Sequence, residues 1–158
     1  MKDLSQLELK EFKTLYLYNN NISDIKVLEK AKFEKLEILE FGKNQISDIN
    51  ILEKVNFKEL KALGLSKNKI SVINVLKNVQ FEKLENFIIS QNKIQDINVL
   101  EKVNFLKLKK LYLNNNKITD INMFEKVNFD DLEKLGLGEN KISDVNVLEK
   151  VNLKTLKH

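Results

Sequence analysis

The chain has 158 residues, the length of a single domain with enough residues to bury a substantial core. It has no cysteine and one histidine, His158, so no disulfide, thiolate metal site or site of several histidines can form within it. We expect no Ser-His dyad, and no enzyme, cofactor or metal. Its 27 basic residues are all lysine and are intermixed with 23 acidic residues, which argues against a nucleic-acid partner.

Residues 1–11 are interpreted as the second half of a repeat unit, because Leu4 and Leu9 align with Leu28 and Phe33, which lie 24 residues later. This amino terminus mixes charged with apolar residues, and no run of about 18 apolar residues occurs in the chain. The sequence therefore predicts neither a secretory signal nor a membrane span. We expect a soluble cytoplasmic protein with no membrane partner.

Six units of 24 residues follow, from residue 12 to residue 155 of a single domain. Each unit contains the pattern L-x-x-L-x-L-x-x-N-x-I, counted from its first apolar residue as position 1. Position 1 is filled by Phe12, Leu36, Leu60, Leu84, Leu108 and Leu132, and position 11 is isoleucine in every unit. Position 9 is asparagine in every unit, at Asn20, Asn44, Asn68, Asn92, Asn116 and Asn140. This period predicts a stack in which each unit covers the apolar face of the next.

The L-x-L stretch at positions 4 to 6 predicts the strand of each unit. Side chains alternate along a strand, so the two leucines point into the core, while the residues at positions 3, 5 and 7 point outward. Successive units then add parallel strands to one sheet. The rest of each unit returns along the opposite side of the stack.

The polar rows of the repeat have a structural interpretation. The asparagine row follows the strands, where unpaired backbone groups need hydrogen-bond partners, so we interpret it as structural. Apolar residues three positions apart, as in Ile97, Leu100 and Val103, suit a short helix or a 3₁₀ turn in the return segment, and we expect the short helix. Position 13 stands at the N-cap of that helix and carries Asp24, Asp48, Asp96, Asp120 and Asp144. Cation binding is the alternative for this aspartate row, but Val72 interrupts it in the third unit.

On this pattern the chain resembles the leucine-rich-repeat superfamily over nearly its whole length. The second half of each unit, as in residues 94–100, is similar to the short I-x-x-I-x-x-L repeats of protein-phosphatase-1 regulatory subunits and of bacterial internalins. The resemblance implies an α/β fold: a right-handed leucine-rich-repeat solenoid with a parallel sheet on its concave face and short helices or 3₁₀ turns on its convex face. It also implies a binding scaffold, and regulation of a phosphatase is a narrower version of that function.

Aromatic and small residues at the outward strand positions indicate where a partner binds. The three tyrosines occupy positions 5 and 7, where the repeat requires no apolar side chain, and tyrosine suits a protein-binding surface. Glycines at the same positions predict a low trough, bordered by Lys43 and Lys67, whereas all nine phenylalanines are assigned to the core. The predicted partner-binding residues are Tyr16, Tyr18, Ile38, Glu40, Gly64, Ile88, Lys110, Tyr112 and Lys134.

Residues 156–158 are interpreted as the start of a truncated repeat. The leading functional hypothesis is a protein-protein interaction scaffold that binds a partner of unknown identity on the concave sheet face. The alternative is a structural spacer of a longer repeat protein with no partner of its own. A phosphate or RNA ligand on the lysines is a minority hypothesis, because Glu40 and Glu139 interrupt the basic surface. The uncapped ends suggest end-to-end self-association.

Overall fold

The fold is a stack of six parallel strands. A computed structural model describes residues 9–127 and 129–150. Each unit contributes one three-residue strand: β1 (Thr14–Tyr16), β2 (Ile38–Glu40), β3 (Ala62–Gly64), β4 (Asn86–Ile88), β5 (Lys110–Tyr112) and β6 (Lys134–Gly136). The strands follow chain order in one sheet, and each residue pairs with the residue one unit later, as Leu15 does with Leu39. The predicted leucine-rich-repeat solenoid is confirmed.

The return segments on the convex side are mostly 3₁₀ helices. They are η1 (Leu9–Glu11), η2 (Lys26–Glu29), η3 (Asn50–Glu53), η4 (Asn74–Asn78), η5 (Asn98–Lys102), η6 (Asn122–Glu125) and, in the sixth unit, α1 (Val147–Lys150). The preference for short helices over 3₁₀ turns is therefore wrong in the first five units. A 3₁₀ helix rises about 2.0 Å per residue against about 1.5 Å for an α-helix, so it covers the convex side with fewer residues. None of these helices in the described ranges has the length and apolarity to cross a membrane.

The core is one continuous column between the sheet and the convex helices. Leu39 and Leu63 point into it from neighbouring strands and are fully buried. At position 22 of the return segment, the rings of Phe33 and Phe57 lie 6.0 Å apart between centroids, and those of Phe57 and Phe81 lie 6.3 Å apart. Each inward side chain thus packs on its counterpart one unit away. The stack buries apolar surface that a single unit could not bury alone.

The two ends of the column depart from the interior pattern. Phe12 is 50% exposed, so the assignment of every phenylalanine to the core is wrong at this residue, since no described unit packs in front of it. At the other end, Val145 is 57% exposed beside a cavity of about 300 Å³ that Ile142 and Leu148 also line. Most of the predicted half repeat at residues 1–11, and all of the truncated repeat at residues 156–158, lie outside the described residues.

A carboxylate precedes each return helix in five units. Asp48 accepts a hydrogen bond through Oδ1 from the N–H of Asn50 at 2.8 Å. The same bond joins Asp24 to Lys26, Asp96 to Asn98, Asp120 to Asn122 and Asp144 to Asn146. The N-cap residue itself is the buried isoleucine that follows, Ile49 in this unit, so the aspartate lies one residue before its predicted place. Among the described residues, no three acidic or histidine side chains converge as a metal site requires.

Val72 occupies the position of these aspartates in the third unit, has no side-chain oxygen to accept a hydrogen bond, and is 61% exposed. We expect Val72→Asp to raise the free energy of unfolding by about 1 kcal/mol, because a carboxylate there can accept the N–H of Asn74, as its counterparts do. Urea unfolding measures the gain. Val72→Ala is the control, since it removes the exposed side chain without supplying an acceptor. Equal stability of the two variants would contradict the capping role.

The asparagines at position 9 connect neighbouring units. The Nδ2 of Asn92 donates to the carbonyls of Ile89 at 3.1 Å and Ser90 at 3.2 Å within its own unit. The same amide donates to the carbonyl of Leu65 in the preceding unit, and its Oδ1 accepts the N–H of Ile70, both at 3.0 Å. Equivalent bonds to the preceding unit are made by Asn44, Asn68, Asn116 and Asn140. Each amide therefore satisfies backbone groups of two units at once.

Candidate binding surface on the concave face

The outward side of the sheet carries the side chains at positions 3, 5 and 7. Leu15 and Leu17 turn inward on either side of Tyr16, which points to solvent. Tyr16 is 63% exposed and Tyr18 is 52% exposed, whereas Tyr112 in the fifth unit is half-buried. The exposed aromatic surface is therefore concentrated at the β1 edge of the sheet.

Glu40 on β2 forms a fixed acidic group beside these tyrosines. It pairs in the sheet with Tyr16 on one side and with Gly64 on the other. Its Oε1 accepts the backbone N–H of Gly42 at 2.7 Å. Its carboxylate also lies so close over Gly64 that a β-carbon at that residue would collide with it. Glu40 is consequently held against the sheet, half-buried, with its charge next to exposed aromatic rings.

The glycines of this face make room for side chains of the preceding unit. The ring of Tyr18 lies over Gly42, and the ring of Tyr112 lies over Gly136. None of the four glycines, all of which are described, has a positive φ, so it is the missing β-carbon that matters here. The trough predicted from the sequence is thus not an open floor at Gly64, which is buried under the glutamate of β2. A large side chain can lie flat where the next strand lacks a β-carbon.

The other predicted site residues continue the surface toward β6. Ile38 and Ile88 are half-buried on outward positions. Lys110, half-buried, pairs across the sheet with the exposed Lys134, so two positive charges stand side by side. The predicted residues therefore form one continuous surface across the six neighbouring strands. Its β1–β2 end is aromatic and acidic, and its β5–β6 end is basic.

Position 8 has a backbone role that sequence reasoning missed. Its φ lies between 56° and 58° in every unit, at Asn19, Lys43, Lys67, Gln91, Asn115 and Glu139. This left-handed region costs most residues free energy, and asparagine enters it more readily than they do. The asparagines at position 8 in two of the six units were the sequence signal for this backbone conformation. Lys43 and Lys67, predicted as a charged border, thus also form the turn at which the chain leaves the sheet.

A hollow of about 510 Å³ lies elsewhere, on the convex side between η2 and η3. Asp24 and Asp48 line it, and both already accept the backbone bonds described above. Lys54, also in its wall, lies 3.8 Å from a carboxylate oxygen of Glu29. The carboxylates of Asp24, Asp48 and Glu29 and the ammonium group of Lys54 are therefore engaged within the chain. The tyrosines of β1, by contrast, are exposed at positions that the core does not use, which makes the concave face the stronger candidate.

Comparison with known proteins shows that this repeat is similar to leucine-rich repeats. A family model described as Leucine Rich repeats (2 copies) matches residues 13–54, 82–126 and 106–150. Internalin C2 from Listeria monocytogenes is 28% identical, with a TM-score of 0.70 over 94% of this chain and 70% of that chain. A leucine-rich-repeat protein from Leptospira interrogans is 27% identical, with a TM-score of 0.73 over 92% of this chain and 37% of that chain. The internalin-like character of the repeats is confirmed, while curated protein sequences give no significant match.

The leucine-rich-repeat ectodomain of a membrane receptor kinase from Arabidopsis thaliana has a TM-score of 0.71 over 94% of this chain and 18% of that chain. That ectodomain was solved in complex with Casparian strip integrity factor 2. At 20% identity the likeness extends to the fold alone. The chain spans 37% of the Leptospira protein and 18% of the plant ectodomain, so the activities of those whole proteins do not carry over with the fold.

Proposed function

Because the chain belongs to the leucine-rich-repeat family, whose fold commonly serves as a protein-interaction scaffold, we propose that it binds a protein partner on its concave sheet face. The observation that carries the proposal is the exposure of Tyr16 and Tyr18, at 63% and 52%, on positions that the core does not require. A tyrosine buries a large area with few rotatable bonds and keeps a polar hydroxyl for the rim of an interface. Family members and the internalin-like neighbours are typically binding scaffolds, and we propose no enzymatic activity for this chain.

The dimensions and charge of the face suit such a partner. Six strands at about 4.8 Å spacing give a width of about 24 Å, which accommodates a helix of about 10 Å diameter. The carboxylate of Glu40 at one end and the ammonium groups of Lys110 and Lys134 at the other end would orient a partner with the opposite polarity. Tyr112 and Ile88 supply apolar contact area between these ends.

The test is partner capture by the immobilised full chain from a lysate of the source organism, read by mass spectrometry. We expect the triple variant Tyr16→Ala, Tyr18→Ala and Tyr112→Ala to lose at least about tenfold in capture of a specific partner, since even one tyrosine acting as a hot spot is worth about 2 kcal/mol or more. The variant should keep the fold, because two of its three side chains are exposed and none belongs to the buried core.

A matched control removes exposed apolar side chains from other faces: Val27→Ala, Val72→Ala and Leu106→Ala, at residues that are 40%, 61% and 61% exposed. This control should capture the partner as the wild type does. Equal capture by the tyrosine variant would contradict the proposal and favour the structural spacer. End-to-end self-association and a cytoplasmic location stay part of the proposal as predictions from the sequence.

A further inference from the structure

The two flanks of the sheet differ in how their charged residues are arranged. On the flank that leads into the strands, position 2 alternates in sign from unit to unit: Lys13, Glu37, Lys61, Glu85, Lys109 and Glu133. Glu37 lies 2.7 Å from the Nζ of Lys61 and 3.6 Å from that of Lys13. The hydrogen bond from Lys61 is the main cause that lowers the pKa of the Glu37 carboxyl. Lys109 and Glu85 form the next pair at 3.0 Å, so this flank compensates its own charge.

On the flank that follows the strands, four consecutive units carry lysine at position 10: Lys69, Lys93, Lys117 and Lys141, here named the lysine row. All four side chains are exposed. Each backbone N–H donates at 2.8 Å to the position-11 carbonyl of the preceding unit, as Lys93 does to Ile70. These bonds hold the lysines in line at the spacing of the strands, about 4.8 Å, so the row is about 14 Å long.

Ion pairs do not compensate the charge of the lysine row in the described part of the chain. None of its four lysines takes part in an ion pair within the described residues. The Nζ of Lys69 donates to the neutral Oε1 of Gln45 at 3.0 Å. The adjacent position-12 side chains, Ser71, Thr119 and Ser143 among them, are neutral and exposed. Stacked like charges repel one another, and the opposite flank shows that this repeat can avoid the cost by alternating sign.

We propose that the lysine row binds an acidic polypeptide segment in an extended conformation. An extended chain advances about 3.4 Å per residue, so about five residues span the row, and their carboxylates can reach the long, flexible lysine side chains. The hydroxyl groups of Ser71 and Thr119 can bond the backbone of such a segment. The row contains neither aromatic residues for base stacking nor arginine for bidentate contacts, so single-stranded nucleic acid fits it less well.

The test is fluorescence anisotropy of a labelled decaglutamate peptide titrated with the full 158-residue chain. We expect saturable binding that weakens as salt is added, and a loss of at least about tenfold in affinity when all four lysines of the row are replaced by glutamine. That variant should be at least as stable as the wild type in urea, because the substitutions remove like-charge repulsion at exposed sites.

A matched control removes the same number of charges from the convex side: Lys30→Gln, Lys54→Gln, Lys102→Gln and Lys126→Gln. Two of these lysines face glutamates, at 3.8 Å for Lys54 and 3.6 Å for Lys126, and all four are exposed. The control should change decaglutamate affinity by less than about twofold. Equal losses in both variants, no binding by the wild type, or tighter binding of an oligothymidylate strand than of decaglutamate would each overturn the proposal. The tyrosine variant should still bind decaglutamate, so this proposal and the concave-face proposal fail separately.

Discussion

Asn92→Ala is expected to lower the free energy of unfolding by about 3 kcal/mol. The Asn92 side chain is buried and makes four hydrogen bonds, two of them to the preceding unit. Alanine would leave the N–H of Ile70 and the carbonyl of Leu65 without this partner inside the stack. A buried unsatisfied group costs about 1–3 kcal/mol, so the loss of several partners at once exceeds the effect of an ordinary surface substitution.

Asn20→Ala is the matched control, because Asn20 occupies the same repeat position in the first unit. Asn20 is exposed, and among the described residues its side chain bonds only within its own unit, to the carbonyls of Leu17 at 3.1 Å and Tyr18 at 3.2 Å. Its replacement should cost less than about 1 kcal/mol. Urea unfolding with an unchanged m-value measures both variants, and a changed m-value would indicate that the stack no longer unfolds as one unit. Equal losses at the two asparagines would show that the bonds between units carry no extra stability.

Phe57→Ala is the second large expected effect, a loss of about 4 kcal/mol. Phe57 is 2% exposed, and its ring lies against Phe33 at 6.0 Å and against Phe81 at 6.3 Å between centroids. The substitution removes both ring contacts and opens a cavity in the middle of the column, where the neighbouring units cannot close around it. Calorimetry should show the melting temperature falling by about 10 °C.

Phe12→Ala is the comparison for this prediction, since Phe12 also fills a consensus apolar position but is 50% exposed. Its replacement should cost about 1 kcal/mol, because partly exposed side chains lose less burial and leave no closed cavity. A loss at Phe12 as large as that at Phe57 would contradict the described burial and would indicate that this ring is covered in solution.

Much of the fold was predictable because each inward residue packs against its own counterpart one unit away. The recurrence of the L-x-L stretch, with Asn44 and Ile46 after it, every 24 residues was enough to predict strand order, register and the inward face. The type of return helix was not predictable, since residues three positions apart, such as Ile97, Leu100 and Val103, lie on one side of either an α-helix or a 3₁₀ helix. The predicted N-cap was wrong by one residue, because the buried isoleucine that follows the aspartate occupies the N-cap.

The candidate site was predictable only in part. Alternation along the strand placed Tyr16 and Tyr18 outward, and their exposure in the structure agrees with that placement. The contact of Glu40 with Gly64 was not predictable, because it joins two different side-chain types from neighbouring units rather than two copies of one residue. The glycines looked like an open floor in sequence, whereas in the structure Gly64 is buried under Glu40, and the rings of Tyr18 and Tyr112 lie over Gly42 and Gly136.

The 24-residue repeat by itself determined the strand order, the buried face and the row of asparagines. The same backbone hydrogen bonds join every pair of neighbouring units, so equivalent residues come to lie side by side. Only the tertiary structure decided what the outward side chains do. Stacking brings residues 24 positions apart into contact, as Glu37 meets Lys61. It also places Lys93 beside Lys117, and neither lysine forms an ion pair among the described residues. The fold therefore follows from likeness between units, and the candidate binding surfaces follow from the differences between them.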